Sequence, residues 1–178
     1  TFQAIAHRWP SLLVKHWLLL ANFGAAIVLF GAFAVAYLRS IGMGWLAEPI
    51  ATVYLLLCPQ RPEHSYFPWG HQMALEQRLV AMFGAQLLGG LAFGLIRRRI
   101  RPLDWRLMII LALPLAWDGV SQTIGLRDSD WLWRTLTGGV FNIALVWFAY
   151  PRLDREFGIL WWVDDWEVEG VRRSARRD

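Results

Sequence analysis

The chain has 178 residues, 56% of them hydrophobic and only 18% charged, with 12 Trp, one Cys and a formal net charge of +4. Soluble domains carry about a quarter charged residues, so this composition excludes an ordinary soluble bundle, whose continuous apolar runs would face water. A single cysteine excludes an internal disulfide framework and a Cys-rich zinc module, and the expected class is an all-α, polytopic membrane helical bundle.

The first apolar run covers 17–38, with Asn22 as its one strongly polar residue. It is long enough to cross a hydrocarbon core. It exceeds a signal-peptide core and has no small-residue cleavage pattern after it, so it is expected to be a retained span. A long polar loop, 39–77, follows. Within it the short run 50–58 (IATVYLLLC) cannot cross and fits a re-entrant or interfacial helix. The loop also holds a polar cassette, Cys58-Pro-Gln-Arg-Pro-Glu-His-Ser65, then Gly70-His71-Gln72. Polar residues grouped between apolar runs mark where function is expected.

The second span, 79–96, ends at a basic block, and the third and fourth are read at 105–125 and 131–150. Four spans is the simplest count, with 1–150 a membrane helical domain and 151–178 a C-terminal tail. Arg97, Arg98, Arg99, Arg101 and Arg106 between spans two and three place that loop in the cytoplasm by the positive-inside rule. Both termini are then cytoplasmic, in agreement with Arg8 and Lys15 before span one and the arginines after span four. The expected location is the inner membrane, multi-pass. The excess of positive charge is assigned to topology and anionic headgroups rather than to nucleic acid, because no groove-reading motif accompanies it.

The same topology puts 39–77 and the link Arg127-Asp-Ser-Asp130 on the outer side. Trp residues at the span ends are expected to form interfacial belts. Span three carries Pro114 and then Asp118 and Gln122, spaced i, i+4 on one face. An acid inside a span is a functional hypothesis by default. Arg78 at the start of span two or Arg134 at the start of span four can neutralise it, and a structural ion pair that fixes helix assembly explains it equally well. Ala85-x-x-x-Gly89, Gly90-x-x-x-Gly94 and Gly138-Gly139 with Asn142 suit close helix approach in lipid.

The outer groups form one collection. The cap comprises Cys58, Gln60, Arg61, Glu63, His64, Ser65, His71 and Gln72, and the charged layer Arg78, Asp118, Gln122, Arg127 and Arg134. Cys58, His64, His71 and Glu76 have the ligand types of a divalent metal site, although their spacing matches no tight ligand motif and a hydrogen-bonded loop explains them as well. Cys58 or Ser65 beside a histidine lacks the elbow and oxyanion-hole segments of a nucleophilic site. His7 and His16, before span one, have the chemistry to ligate a porphyrin or chlorin such as bacteriochlorophyll, the plainer reading being interfacial histidines. No cofactor is required by the sequence.

Cys58-x-Gln60-x-Pro62-Glu63-x-Ser65, Gly70-x-Gln72-Met73, Arg78, Asp118-Gly119-x-x-Gln122-x-x-Gly125-x-Arg127 and Arg134-x-x-Thr137-Gly138 stand in an order that resembles the prokaryotic membrane proteins grouped as domain of unknown function 2085. The resemblance spans about residues 50 to 140 and implies a small polytopic membrane protein. The family pattern has Cys-His-Gln where this chain has Cys58-Pro59-Gln60, Arg where His64 stands, and Cys-x-Arg-Cys where this chain has Glu76-Gln77-Arg78-Leu79. The thiolate site implied by the family is thus reduced to Cys58 with Glu76 as a substitute ligand, while the charged layer is kept.

A polar scaffold kept and soft ligands lost favour a non-catalytic accessory or structural subunit of a larger membrane complex, energy-transducing or pigment-containing. The tail Trp161-Trp-Val-Asp-Asp-Trp166-Glu-Val-Glu169 reads as a docking segment. Two alternatives stand beside it: a membrane enzyme or metal-handling protein using Cys58, His64, His71, Glu76 and Asp118, and a small transporter with Asp118 as coupling carboxylate. The expected partners are the lipid bilayer and other membrane subunits.

Overall fold

The computed structural model describes residues 16–97 and 99–174, with side chains through residue 157. His7, Arg8, Lys15 and Arg98 lie outside the described residues, and so do the side chains of the tail motif 161–169. Five α-helices are present in the described chain: α1 Trp17–Ser40, α2 Gly44–Tyr54, α3 Gln77–Ile96, α4 Trp105–Thr123 and α5 Trp131–Ser174. Two short 3-10 turns, Pro62–His64 and Pro68–Gly70, interrupt the loop before α3. No strand occurs among the described residues, only an isolated antiparallel bridge between Ser65 and Glu76.

Helix α3 is the centre of the bundle, packed on α5 along one side and on α1 along the other, while α4 packs on α5. Trp17 at the start of α1 meets Tyr150 of α5 edge-on at 5.1 Å, and Phe93 near the end of α3 meets the same Tyr150 at 5.7 Å. The opposite end is closed by α2 and the loop 55–76. Successive long helices therefore run antiparallel, as short connections require. Helices α1 and α3 are long and apolar enough to cross a membrane by length and composition. Helix α4 is less apolar, since it carries Arg106, Pro114, Asp118, Ser121 and Gln122.

The bundle is apolar outside. Phe23, Phe30, Leu88, Leu95, Ile110 and Leu113 are all exposed, Leu95 at 88%. Many of the interior side chains are small or polar, among them Ala25, Ala32, Ala36, Ala85, Asp118, Ser121 and Asn142, beside larger apolar ones such as Val35, Met73 and Leu75. That inversion of a soluble core is what a lipid-facing bundle requires: packing in lipid favours small interfacial residues and polar bridges, and large apolar side chains lose nothing by facing hydrocarbon.

Glycines set the closest approaches. A Cβ on Gly90 would collide with Asn22 Oδ1, which marks the close approach of α1 to α3, and one on Gly31 would collide with the Tyr54 hydroxyl, which donates to the Val28 carbonyl at 2.8 Å. A Cβ on Gly138 would lie 2.7 Å from the Arg78 backbone oxygen. Gly139, its neighbour, faces open space. Asn142 ties the same α3–α5 seam by donating to the Met82 carbonyl at 2.7 Å.

Helix ends follow local chemistry. Asp104 accepts from the Arg106 amide and caps α4, and Asp130 accepts from the Trp133 amide at 2.8 Å at the start of α5, as N-cap acids do. Helix α4 closes on Gly125 at φ +70°, with the Leu126 amide on the Ser121 carbonyl at 2.9 Å, a left-handed C-terminal turn that glycine adopts without steric cost.

Two elements differ from their sequence-based bounds. The short helix runs over Gly44–Tyr54 rather than 50–58 and passes through Pro49. Proline removes one helical bond, but Ala47 and Ala51, 0% and 5% exposed, pack one helical turn apart against α1 and hold the turn around it. Arg39 reinforces this by bonding both oxygens of Glu48 at 3.0 Å, which holds the Glu48 carboxyl below its usual range. Helix α5, likewise, does not stop at residue 150 but continues through Pro151 to Ser174. Pro151 has no amide to give the Trp147 carbonyl. The Leu103 amide, from the basic loop, takes its place at 3.3 Å, and Arg152 donates to the Leu103 carbonyl at 2.9 Å. Buried backbone acceptors need partners, and here a tertiary contact supplies the one that the helix lost.

Candidate functional site

The loop 55–76 is folded onto the helix ends. Met73, Ala74 and Leu75 are at most 1% exposed and join a core with Val35, Ala36, Ala47 and Tyr54. Its polar groups are bonded mainly to one another. Gln60, in the left-handed region at φ 54°, sends its side-chain amide to the Ala51 carbonyl at 2.6 Å. Gln72 donates to the Gln60 carbonyl at 2.6 Å and to Ser65 Oγ at 3.1 Å, and Ser65 donates to the Arg61 carbonyl at 2.8 Å. The non-glycine left-handed conformation costs of order 1–3 kcal/mol and persists because these bonds over-determine it.

Beneath the loop lies the charged layer. Asp118 is 2% exposed and accepts from Arg78 of α3 at 2.5 Å and from Arg127, past the end of α4, at 3.3 Å. Arg134 does not pair with it. Instead, its guanidinium donates to the Glu63 carbonyl at 3.2 Å and reaches Gln77 Oε1 at 3.5 Å. Gln77, 6% exposed, donates in turn to the Ser65 carbonyl at 3.1 Å. Gln77 is the residue that sequence reading passed over. Its signal was weak: one amide at the polar margin of a span, indistinguishable there from a solvated helix end. Gln122 spends its side-chain amide within its own helix, on the Asp118 carbonyl at 2.9 Å.

A cavity of about 1040 Å³ opens between this layer and the loop. Its walls carry Arg61, Arg78, Arg134, Glu63, Glu76, Asp128, Asp130, His64, Gln77 and Gln122, with Leu57, Cys58, Leu79 and Trp131 on an apolar side. His71 is not among the lining residues.

The metal-type residues are dispersed. His64 Nδ1 stands 4.0 Å from Glu76 Oε2, while burial and the nearby Arg134 guanidinium hold His64 below the usual imidazole range, with Glu76 pulling only partly the other way. His64 is therefore neutral at pH 7, and its approach to Glu76 is not a charged pair. Cys58 is 7% exposed with its thiol 3.8 Å from the Ala74 carbonyl. No three His, Cys, Asp or Glu side chains converge as a metal site among the described residues. His16 is exposed at the start of α1, where its carbonyl accepts from the Leu20 amide at 3.0 Å.

The placement of Cys58 leads to a direct expectation. In folded protein in mild detergent, N-ethylmaleimide labels Cys58 at least tenfold more slowly than in SDS, because thiolate attack needs access as well as ionisation. Equal rates, followed by mass spectrometry, would mean that the loop is not seated as described.

An apolar exterior around a buried, ion-paired polar end defines a helical membrane protein. Comparison with known families agrees: the chain belongs to the family described as Predicted membrane protein (DUF2085), whose model matches residues 58–148. It is 34% identical over 122 residues to an uncharacterized protein of Methanocaldococcus jannaschii, a match covering 65% of this chain and 77% of the relative. No solved structure matches the chain.

Proposed function

We propose that this protein is a four-span, inner-membrane protein with both termini cytoplasmic that works as a non-catalytic subunit of a larger membrane complex, binding through its capped polar end and its C-terminal extension rather than carrying out a reaction. The observation that carries this reading is the engagement of Asp118, buried at 2% exposure under two guanidinium groups. A proton-coupled or general-acid role requires Asp118 to leave both partners. Cys58, the other reactive candidate, is buried against a backbone carbonyl. Support for orientation comes from Arg97, Arg99, Arg101 and Arg106 at the end of the bundle away from the loop. Support for a partner comes from α5, whose 44 residues reach about 66 Å at 1.5 Å per residue, against roughly 30 Å of hydrocarbon. Its extension carries the alternating Trp and acidic sequence of 161–169.

Orientation is tested with Trp69→Cys in a Cys58→Ser background, position 69 being 59% exposed on the loop. A membrane-impermeant maleimide added to intact cells is expected to label it. Labelling only after lysis reverses the topology. The subunit role is tested by expressing the tagged chain at native level in its own host. On a native gel in mild detergent it is expected to migrate as an assembly containing a second membrane protein at fixed stoichiometry, and a homogeneous particle containing this 20.5-kDa chain alone overturns it.

A further inference from the structure

The cavity has the chemistry of a ligand site. Arg134 lines the cavity at 6% exposure, and both of its hydrogen bonds leave from one terminal nitrogen, so the second terminal nitrogen is the donor it has left for a ligand; its Nε is sealed within the protein without a partner among the described residues. The Nε of Arg78, on the same wall, is likewise buried without a partner. Buried donors without a partner are uncommon in native structures. A simple anion is not what the walls fit. Three guanidinium groups, from Arg61, Arg78 and Arg134, are set against four carboxylates, from Glu63, Glu76, Asp128 and Asp130. Glu63 and Asp128 are exposed at the walls, and the apolar side includes Leu57 and Trp131, 48% and 58% exposed. The cavity therefore offers an anion-binding floor, carboxylates beside it and an apolar flank, at the level where the helices α3, α4 and α5 begin or end.

We propose that this cavity binds a phosphate–ammonium dipole, with the phosphate on Arg134 and Arg78, which offer directional donors for phosphate oxygens, and the ammonium on Asp128 and Glu63. Phosphatidylethanolamine carries this dipole as a headgroup, and phosphoethanolamine carries it in soluble form. The inference rests on the reading of the capped end as a binding site, and deepens it by naming the ligand class.

The test uses the full chain in nanodiscs. In one arm, native mass spectrometry follows retention of phosphatidylethanolamine from a mixture with phosphatidylglycerol; in the other, calorimetry follows phosphoethanolamine binding in nanodiscs of phosphatidylglycerol alone. The expected result is saturable binding in one of the two arms, which identifies the source. It should be weakened at least tenfold by Arg134→Gln and, independently, by Asp128→Asn, a substitution at an exposed loop position that leaves the fold intact. Arg97→Gln, at the opposite end of the bundle, should bind as the unaltered chain does. The proposal is overturned by no binding in either arm, by equal retention of phosphatidylglycerol, or by binding that Asp128→Asn leaves unchanged. The native-gel and labelling outcomes do not depend on this ligand, so its failure is distinguishable from failure of the subunit reading.

Discussion

Asp118→Asn is expected to destabilise the folded protein by about 3 kcal/mol, the lower end of the cost of removing one partner from a buried ion pair. The neutral amide keeps the shape of the side chain but leaves Arg78 and Arg127 facing each other without the carboxylate that both of them grip. The lower end applies because the guanidinium groups are not fully dry, their side chains being 27% and 40% exposed while Asp118 is at 2%. The two arginines are not equivalent. Arg127→Gln removes the longer and wetter contact and should cost less than about 1 kcal/mol, as exposed pairs do. Arg78→Gln removes the 2.5 Å contact that joins α3 to α4 and should approach the cost of Asp118→Asn. Reversible unfolding in mixed micelles, followed by denaturant midpoint, measures the order. Equal effects of Arg78→Gln and Arg127→Gln would show that the layer is not built around the α3–α4 contact.

Gly138→Ala should be nearly as damaging, at about 2 kcal/mol, within the range for overpacking a tight interior. The added methyl group meets the backbone oxygen of Arg78 at 2.7 Å and its side chain at 3.1 Å. A side chain can swing aside, but a helix carbonyl cannot, so α3 and α5 must separate beside the ion pair. Gly139→Ala is the control. Nothing lies within 4 Å of its new methyl group, and alanine is the better helix former by about 1 kcal/mol, so it should be neutral or slightly stabilising. If both substitutions cost the same, helix packing along this seam differs from that described.

Much of the fold was legible because apolar runs of span length have few alternatives. The apolar runs read at 17–38, 79–96 and 105–125 lie within two residues of the helices α1, α3 and α4, since each is bracketed by polar or capping residues that local chemistry can place. The helix bounds that differ from the apolar runs do so at prolines. The short run was read from Ile50, just after Pro49, and the fourth span to Tyr150, just before Pro151, yet both prolines lie inside helices. In each case, what carried the helix across came from elsewhere in the chain: α1 packing on Ala47 and Ala51, and the Leu103 amide on the Trp147 carbonyl.

The polar end divides in the same way. That Asp118 sits within a helix and shares its face with Gln122 follows from helical periodicity alone, a property of residues four apart. Which arginines reach it does not follow. Arg78 lies 40 positions away, and Arg134, equally plausible by sequence, turns instead to the Glu63 carbonyl 71 positions away. Periodicity fixes which residues share a face, whereas the rotation and separation of packed helices, set at glycines such as Gly138 and Gly90, decide which faces meet. The amino-acid sequence by itself therefore determined a helical membrane protein with its polar groups gathered near one end. Only tertiary packing decided that Arg78 and Arg127 would clamp Asp118, leaving Arg134 on the wall of a cavity with no carboxylate bound to it among the described residues.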